Sequence, residues 1–100
     1  MLPYGRQDIN QADINSVISA LQSDFLTQGP QVPLFEETVA KYCGAECGVA
    51  VNSATSALHI ACLALGLKEG DWLWTSPNSF VASANCGLYC DAKIAFVDID

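Results

Sequence analysis

An α/β fold with parallel strands behind a helical preface is the fold class that the sequence predicts, on three observations. Apolar residues recur at helical spacing through the first 44 positions. From residue 48 onward, short apolar runs alternate with segments of helix length. Two of those runs end in small polar residues where the next helix begins, as strand-to-helix junctions on one sheet edge do.

The elements follow in order. In "NQADINSVISALQ", residues 10 to 22, Ile14, Val17, Ile18 and Leu21 fall at i, i+3, i+4 and i+7. Asn10 is placed to cap this helix and Asp13 to meet its dipole. "SDFLTQGPQVP", residues 23 to 33, is rich in turn formers and reads as a loop reaching over a site. A second helix is expected from about Pro33, burying Phe35, Val39 and Tyr42 and stopping at Gly44. "GVAVN" then reads as a strand, 53 to 66 as a helix, "DWLWTS" as a strand, 78 to 90 as a helix and "KIAFVDI" as a strand. The result is β-α-β-α-β, whose crossovers are right-handed and whose ligands collect at the carboxyl edge of the sheet. The expected division is a helical segment with its loop over 1–47 and the start of a larger α/β domain over 48–100.

Composition narrows the function classes. Only 15% of the residues are charged while 51% are apolar, so charged cover is short and the chain reads as a fragment of a larger protein. In isolation it is expected to aggregate or to fold partly. A net charge of −7 repels nucleic acid and anionic membrane, yet a small anion can still be held locally by backbone amides. There is no basic n-region with an apolar h-region and no run long enough to span a bilayer, which points to a cytoplasmic protein. Five cysteines without a CxxC pair, and a single histidine, favour reduced and mostly buried thiols over a metal site.

The chemistry concentrates at the two junctions. At "VAVNSATSALHIACLALGL" the first helical turn holds Ser53 to Ser56. Its unpaired N–H groups, the dipole and the hydroxyls of Thr55 and Ser56 suit a phosphate, whereas simple capping of a buried helix explains the same residues. Ala57, Ala61 and Ala64 would bring that helix close to the sheet. At "TSPNSFVASAN", Asn78 can cap and Phe80 falls in the first turn, as a core residue or as a stacking partner for a flat phosphorylated heteroaromatic ligand. His59 reads as a core histidine, Asp98 and Asp100 as strand-end acids, and Glu36 and Glu37 as an exposed helical face.

"YGRQDI", "SDFLTQGPQVPLFEE", "NSATSALHIACLALGL", "GDWLWTSPNSFVASANC" and "AFVDID" together make the chain resemble the amino-terminal part of the DegT/DnrJ/StrS sugar aminotransferases, over nearly its whole length. Within that family it looks most like the pseudaminic-acid branch. The resemblance implies a type I aspartate-aminotransferase-like fold, a pyridoxal 5′-phosphate cofactor and a homodimer. It also implies amino transfer from L-glutamate to C4 of a UDP-linked 4-keto-6-deoxy-N-acetyl sugar. By the same resemblance Thr55 and Ser56 hold the cofactor phosphate and Phe80 stacks on its ring. Tyr4, Asp24, Phe25, Leu26, Thr27 and Ala54 line the sugar-nucleotide side.

The family's Schiff-base lysine and the acid paired with the pyridine nitrogen have no counterpart up to Asp100. Lys41, Lys68 and Lys93 are expected on an exposed helical face, in a turn and at a strand entrance. None is desolvated or crowded by positive charge as a catalytic lysine must be. The 100 residues alone are therefore expected to be inactive. Two alternatives remain at this stage: a dehydratase of the same fold, with histidine in place of the lysine, and a non-catalytic module that binds a phosphorylated ligand.

Overall fold

The computed structural model describes residues 5–98. Its elements are α1 (Gln11–Leu21), α2 (Gln31–Cys43), α3 (Ala54–Ala64), β1 (Trp72–Thr75), α4 (Ala82–Leu88) and β2 (Lys93–Phe96). They divide into two units, one up to Val49 and one from Ala50 onward.

In the first unit, α1 starts where its cap predicts. Asn10 Oδ1 accepts the N–H groups of Ala12 at 2.7 Å and Asp13 at 3.3 Å, while Asp13 Oδ2 accepts the Asn10 N–H at 2.9 Å. This reciprocal capping box uses the helix's own acid to close its tip. Helix α2 begins at Gln31, two residues before the expected Pro33, because Pro30 takes the cap position without a side-chain bond. It ends at Gly44, whose φ of 68° is a left-handed conformation that glycine adopts without a Cβ clash. The expected burial of Phe35, Val39 and Tyr42 is not observed: all three are exposed, Tyr42 to 92%, and only Ala40 is buried. Their spacing marks an apolar helix face correctly, but no described element of this unit lies over it.

In the second unit, β1 and β2 pair in parallel with Trp72 opposite Lys93 and Thr75 opposite Phe96. The ladder extends at both ends, through Lys93 N–H to Asp71 O and Val97 N–H to Thr75 O, each at 2.9 Å. Helix α4 crosses between the strands and rests on both of them, and α3 rests on α4. The predicted strand at 48–52 does not pair with either strand. Its apolar pattern reports a tendency to be buried, whereas a strand exists only where a partner completes the ladder. Helix α3 matches its expected span within two residues, and α4 starts four residues later than expected.

Gly87 sets the distance between α4 and the sheet. A Cβ there would stand 2.6 Å from Ile94 Cδ1, 2.9 Å from Leu73 Cδ2 and 3.0 Å from Leu73 Cβ. Behind this contact, Cys62, Cys86 and Cys90 form a small buried cluster flanked by Leu67 and Leu73. The alanine stripe expected to face the sheet is exposed at Ala57, Ala61 and Ala64, because α3 turns Cys62 inward against α4 instead. His59 is half-buried and meets Tyr89 edge-on at 5.2 Å, in keeping with a packing role.

Little else is covered. The chain exposes 8708 Å². Even two separate compact units of half its mass would expose only about 6,600 Å² together by the mass scaling of folded monomers. Large apolar side chains are exposed in both units, among them Phe25, Leu26, Leu65 and Trp74, in line with the shortage of charged residues. Among the described residues no helix is long and apolar enough to cross a membrane.

All five thiols are free, three of them buried and Cys43 and Cys47 exposed. Desolvation, reinforced by hydrogen bonding to Cys86 and by the neighbouring Cys86 and Cys90, pushes the Cys62 thiol up to about 11. Because the thiolate is the nucleophile, alkylation of Cys62 is expected to stay slow through pH 9 and to rise only as the pH nears 11. Residue-resolved mass spectrometry after a short iodoacetamide pulse on the native protein checks this, with Cys43 and Cys47 labelled first. Gly87→Ala is expected to lower stability by about 1 kcal/mol, since overpacking of about 1–3 kcal/mol outweighs the roughly 1 kcal/mol gain in helix propensity. Denaturant melts of the full-length protein measure that difference.

Candidate cofactor site

The tip of α3 is built by a short polar network. Ser53 caps the helix with extended backbone, its Oγ accepting the Ser56 N–H at 3.2 Å and its carbonyl accepting the Ala57 N–H at 3.0 Å. Ser56 Oγ donates to Asn52 Oδ1 at 2.9 Å and lies 2.9 Å from Ser53 Oγ, which is itself 3.4 Å from Asn52 Oδ1. The N–H groups of Ala54 and Thr55 have no acceptor among the described residues, as expected for the first turn of a helix.

Electrostatically this tip differs from that of α1. Its first turn contains no acidic residue, so the positive end of the dipole is uncompensated. Thr55 and Ser56 are half-buried and Ala54 is exposed. Two unused amide donors, the Thr55 hydroxyl and a Ser56 hydroxyl that can exchange Asn52 for another acceptor make a donor set that fits a phosphate.

The junction after β1 departs from the sequence reading in detail. Asn78 does not cap α4; its N–H is taken by Ser76 Oγ at 3.2 Å, which folds residues 76–79 into a turn. A tight turn then runs from Phe80 O to the Ser83 N–H and from Val81 O to the Ala84 N–H, both 3.0 Å, so Val81 holds the cap position. Phe80 therefore precedes the helix rather than lying in its first turn. It is 74% exposed at the carboxyl side of β1, an unusual setting for a core phenylalanine. Phe80 lines a cavity of about 180 Å³ together with Phe96, the last residue of β2. Phe96 is not among the residues singled out by motif or spacing; the signal it carries is an aromatic residue at the carboxyl end of a parallel strand.

The remaining predicted positions are distributed as follows. Asp24, Phe25, Leu26 and Thr27 are exposed in the loop between α1 and α2 of the first unit. That loop is shaped by Ser23 Oγ, which donates to Ala20 O at 2.7 Å and approaches Phe25 O at 3.2 Å. Beside it lies an apolar cavity of about 230 Å³ lined by Val17, Leu21, Phe25, Leu26 and Val32. Ala54 is the first residue of α3, adjoining Thr55. Tyr4 and Asp100 lie outside the described residues. Asp98 is exposed, Glu37 is exposed and Glu36 is half-buried rather than fully on an outer face.

The lysines occupy the expected places. Lys41 is exposed in the last turn of α2, and Lys68 is exposed in the turn after α3. Lys93 stands at the amino end of β2 with its Nζ 5.6 Å from the Trp72 ring centroid, at the opposite end of the strand from Phe96. No group of three or more His, Cys, Asp or Glu side chains suited to a metal occurs among the described residues.

An open helix tip rich in hydroxyls, in a unit whose parallel sheet carries an exposed aromatic at its carboxyl edge, defines the class as an α/β domain with its polar donors at a strand-to-helix junction. The comparisons make it particular. The chain belongs to the DegT/DnrJ/EryC1/StrS aminotransferase family, whose model matches residues 7–100. It is 46% identical to a UDP-4-amino-4,6-dideoxy-N-acetyl-beta-L-altrosamine transaminase of Campylobacter jejuni subsp. jejuni serotype O:23/36 (strain 81-176), over 99% of this chain and 26% of that protein. It is 41% identical to the spore coat polysaccharide biosynthesis protein SpsC of Bacillus subtilis (strain 168), over 99% of this chain and 25% of that one. The chain thus spans about a quarter of the length of these curated relatives.

Among solved structures, the PLP-form of the putative sugar aminotransferase Spr1654 from Streptococcus pneumoniae superposes with a TM-score of 0.89 at 29% identity, covering 99% of this chain and 25% of that one. Helicobacter pylori PseC, an aminotransferase involved in the biosynthesis of pseudoaminic acid, gives 0.88 at 33% identity, over 98% of this chain and 27% of that one. The fold class read from the sequence is that of these aminotransferases.

Ser53→Ala is expected to cost about 1 kcal/mol by removing the cap of α3. Thermal melts of the full-length apoprotein check it, and a loss near zero would mean that the network around Ser56 does not depend on Ser53.

Proposed function

We propose that the protein of which this chain forms a part is a pyridoxal 5′-phosphate-dependent aminotransferase of nucleotide-sugar biosynthesis. On this reading it moves the amino group of L-glutamate to C4 of a UDP-linked 4-keto-6-deoxy-N-acetyl sugar and works as a homodimer. The observation that carries the reading is the tip of α3, with two free amide donors, two hydroxyls and no acid, in a chain whose family and closely similar relatives are sugar aminotransferases. Amino transfer is supported over dehydration by the transaminase names of the relatives at 46% identity.

When bound, the cofactor supplies an electron sink for the amino-group chemistry. The chain's own residues bind and orient. The N–H groups of Ala54 and Thr55 and the hydroxyls of Thr55 and Ser56 hold the phosphate, aided by the dipole of α3. Phe80 provides a flat face for the ring, excluding water from one side of it. The family resemblance supports a part in binding the sugar nucleotide for Tyr4, for Asp24, Phe25, Leu26 and Thr27, and for Ala54. No proton transfer is assigned to Lys41, Lys68 or Lys93, because each is solvent-exposed, and Lys93 stands at the amino end of its strand.

In the full-length enzyme, Thr55→Val is expected to weaken pyridoxal 5′-phosphate binding by about ten- to a hundredfold, the value of one lost charge-assisted hydrogen bond. Binding of pyridoxal, which lacks the phosphate, should be unchanged. Titration of the visible absorbance band with each compound measures both, and equal weakening of the two would contradict the phosphate assignment. The isolated 100-residue chain is expected to show no turnover with the cofactor, L-glutamate and the keto sugar.

A further inference from the structure

Phe96 has no role in the reading above, and its setting calls for one. It is 62% exposed, although it ends the central ladder of the second unit opposite Thr75. It lines the same cavity of about 180 Å³ as Phe80, with Ser76, Ser79 and Ser83 as the polar part of the lining. The two phenylalanines make no ring contact with each other, so the space between them is open rather than filled by an aromatic pair. It is of the size of one six-membered ring with small substituents.

The polar lining has protons to give. Ser76 Oγ accepts the Asn78 N–H and keeps its own hydrogen for another partner. Ser79 and Ser83 share one hydrogen bond at 3.0 Å, which uses one of their two hydrogens and leaves the other. No ionisable side chain lines the cavity. The chemistry is that of a neutral aromatic slot with hydroxyl donors, suited to a flat heteroaromatic ring bearing acceptor atoms.

We infer that Phe96 is a second aromatic wall of the ring site, contacting the pyridine ring of the cofactor from the β2 side while Phe80 contacts it from the β1–α4 junction. This rests on the proposed cofactor reading and extends it to a residue and a cavity that the reading leaves unused. Because Phe96 is solvent-accessible and outside the buried cysteine cluster, its removal should act on ligand binding and leave folding alone.

The test uses the full-length apoprotein and three probes: pyridoxal 5′-phosphate, pyridoxal and inorganic phosphate. Phe96→Leu is expected to weaken both ring-bearing compounds by about two- to tenfold, the size of one aromatic stacking contact, with phosphate affinity and melting temperature unchanged. Phe96→Tyr, which keeps the ring, should bind like the parent. Unchanged affinity for both ring compounds in Phe96→Leu, alongside a loss in Phe80→Leu, would overturn the inference and leave the cofactor reading standing. Loss of phosphate affinity and melting temperature together with ring affinity would overturn it too, as the mark of a structural residue. If neither Phe80→Leu nor Phe96→Leu changes ring binding, the ring assignment fails at both walls.

Discussion

Helix α4 lies close against its two strands because residue 87 has no side chain. The 2.6 Å and 3.0 Å approaches of a virtual Cβ to Ile94 and Leu73 mean that a larger residue requires those side chains to turn aside or the helix to shift. That contact sets the height of α4 over the sheet, and α3 in turn rests on α4 through Cys62. The turn at residues 76–81 is short and bonded to itself, so the position of Phe80 at the carboxyl edge follows from where α4 is allowed to begin.

Two helix tips in one chain show how similar local sequences serve different ends. Asn10 and Asp13 close α1 by satisfying each other's backbone groups, with the Asp13 carboxylate compensating the dipole and, among the described residues, the Gln11 N–H alone left in the first turn. Asn52, Ser53 and Ser56 form a comparable network at α3, but one made of neutral hydroxyl and amide groups. The cap stabilises the helix without neutralising its dipole. Capping and anion binding, which compete as explanations of the sequence, are therefore compatible: the cap uses Ser56 N–H, and Ala54 and Thr55 N–H remain.

Much of this was legible in the sequence, for identifiable reasons. Asn10, Asp13, Gly44 and Ser53 act within four residues of their own positions, and local rules of capping and left-handed turns apply to them directly. The parallel pairing of β1 and β2 followed from the helix between them. What could not be read was decided by distant partners. The "GVAVN" run joins neither β1 nor β2, Phe35, Val39 and Tyr42 are exposed among the described residues, and Ala57, Ala61 and Ala64 lost the inward face of α3 to Cys62. The start of α4 shifted because a serine hydroxyl claimed the Asn78 amide, a competition between turn and helix that propensity alone does not rank. For Phe96, alternation along a strand gives its face but not its proximity to a neighbouring junction.

The central claim is that the tip of α3 and the aromatic edge of the sheet act on one ligand, the first through a phosphate and the second through a ring. A crystal structure of the full-length protein with pyridoxal 5′-phosphate tests this most directly. The account requires phosphate oxygens within hydrogen-bonding distance of the Thr55 amide and hydroxyl, with the pyridine ring against Phe80 in the same site. A phosphate held by other residues, or a ring with no contact to Phe80, would contradict it.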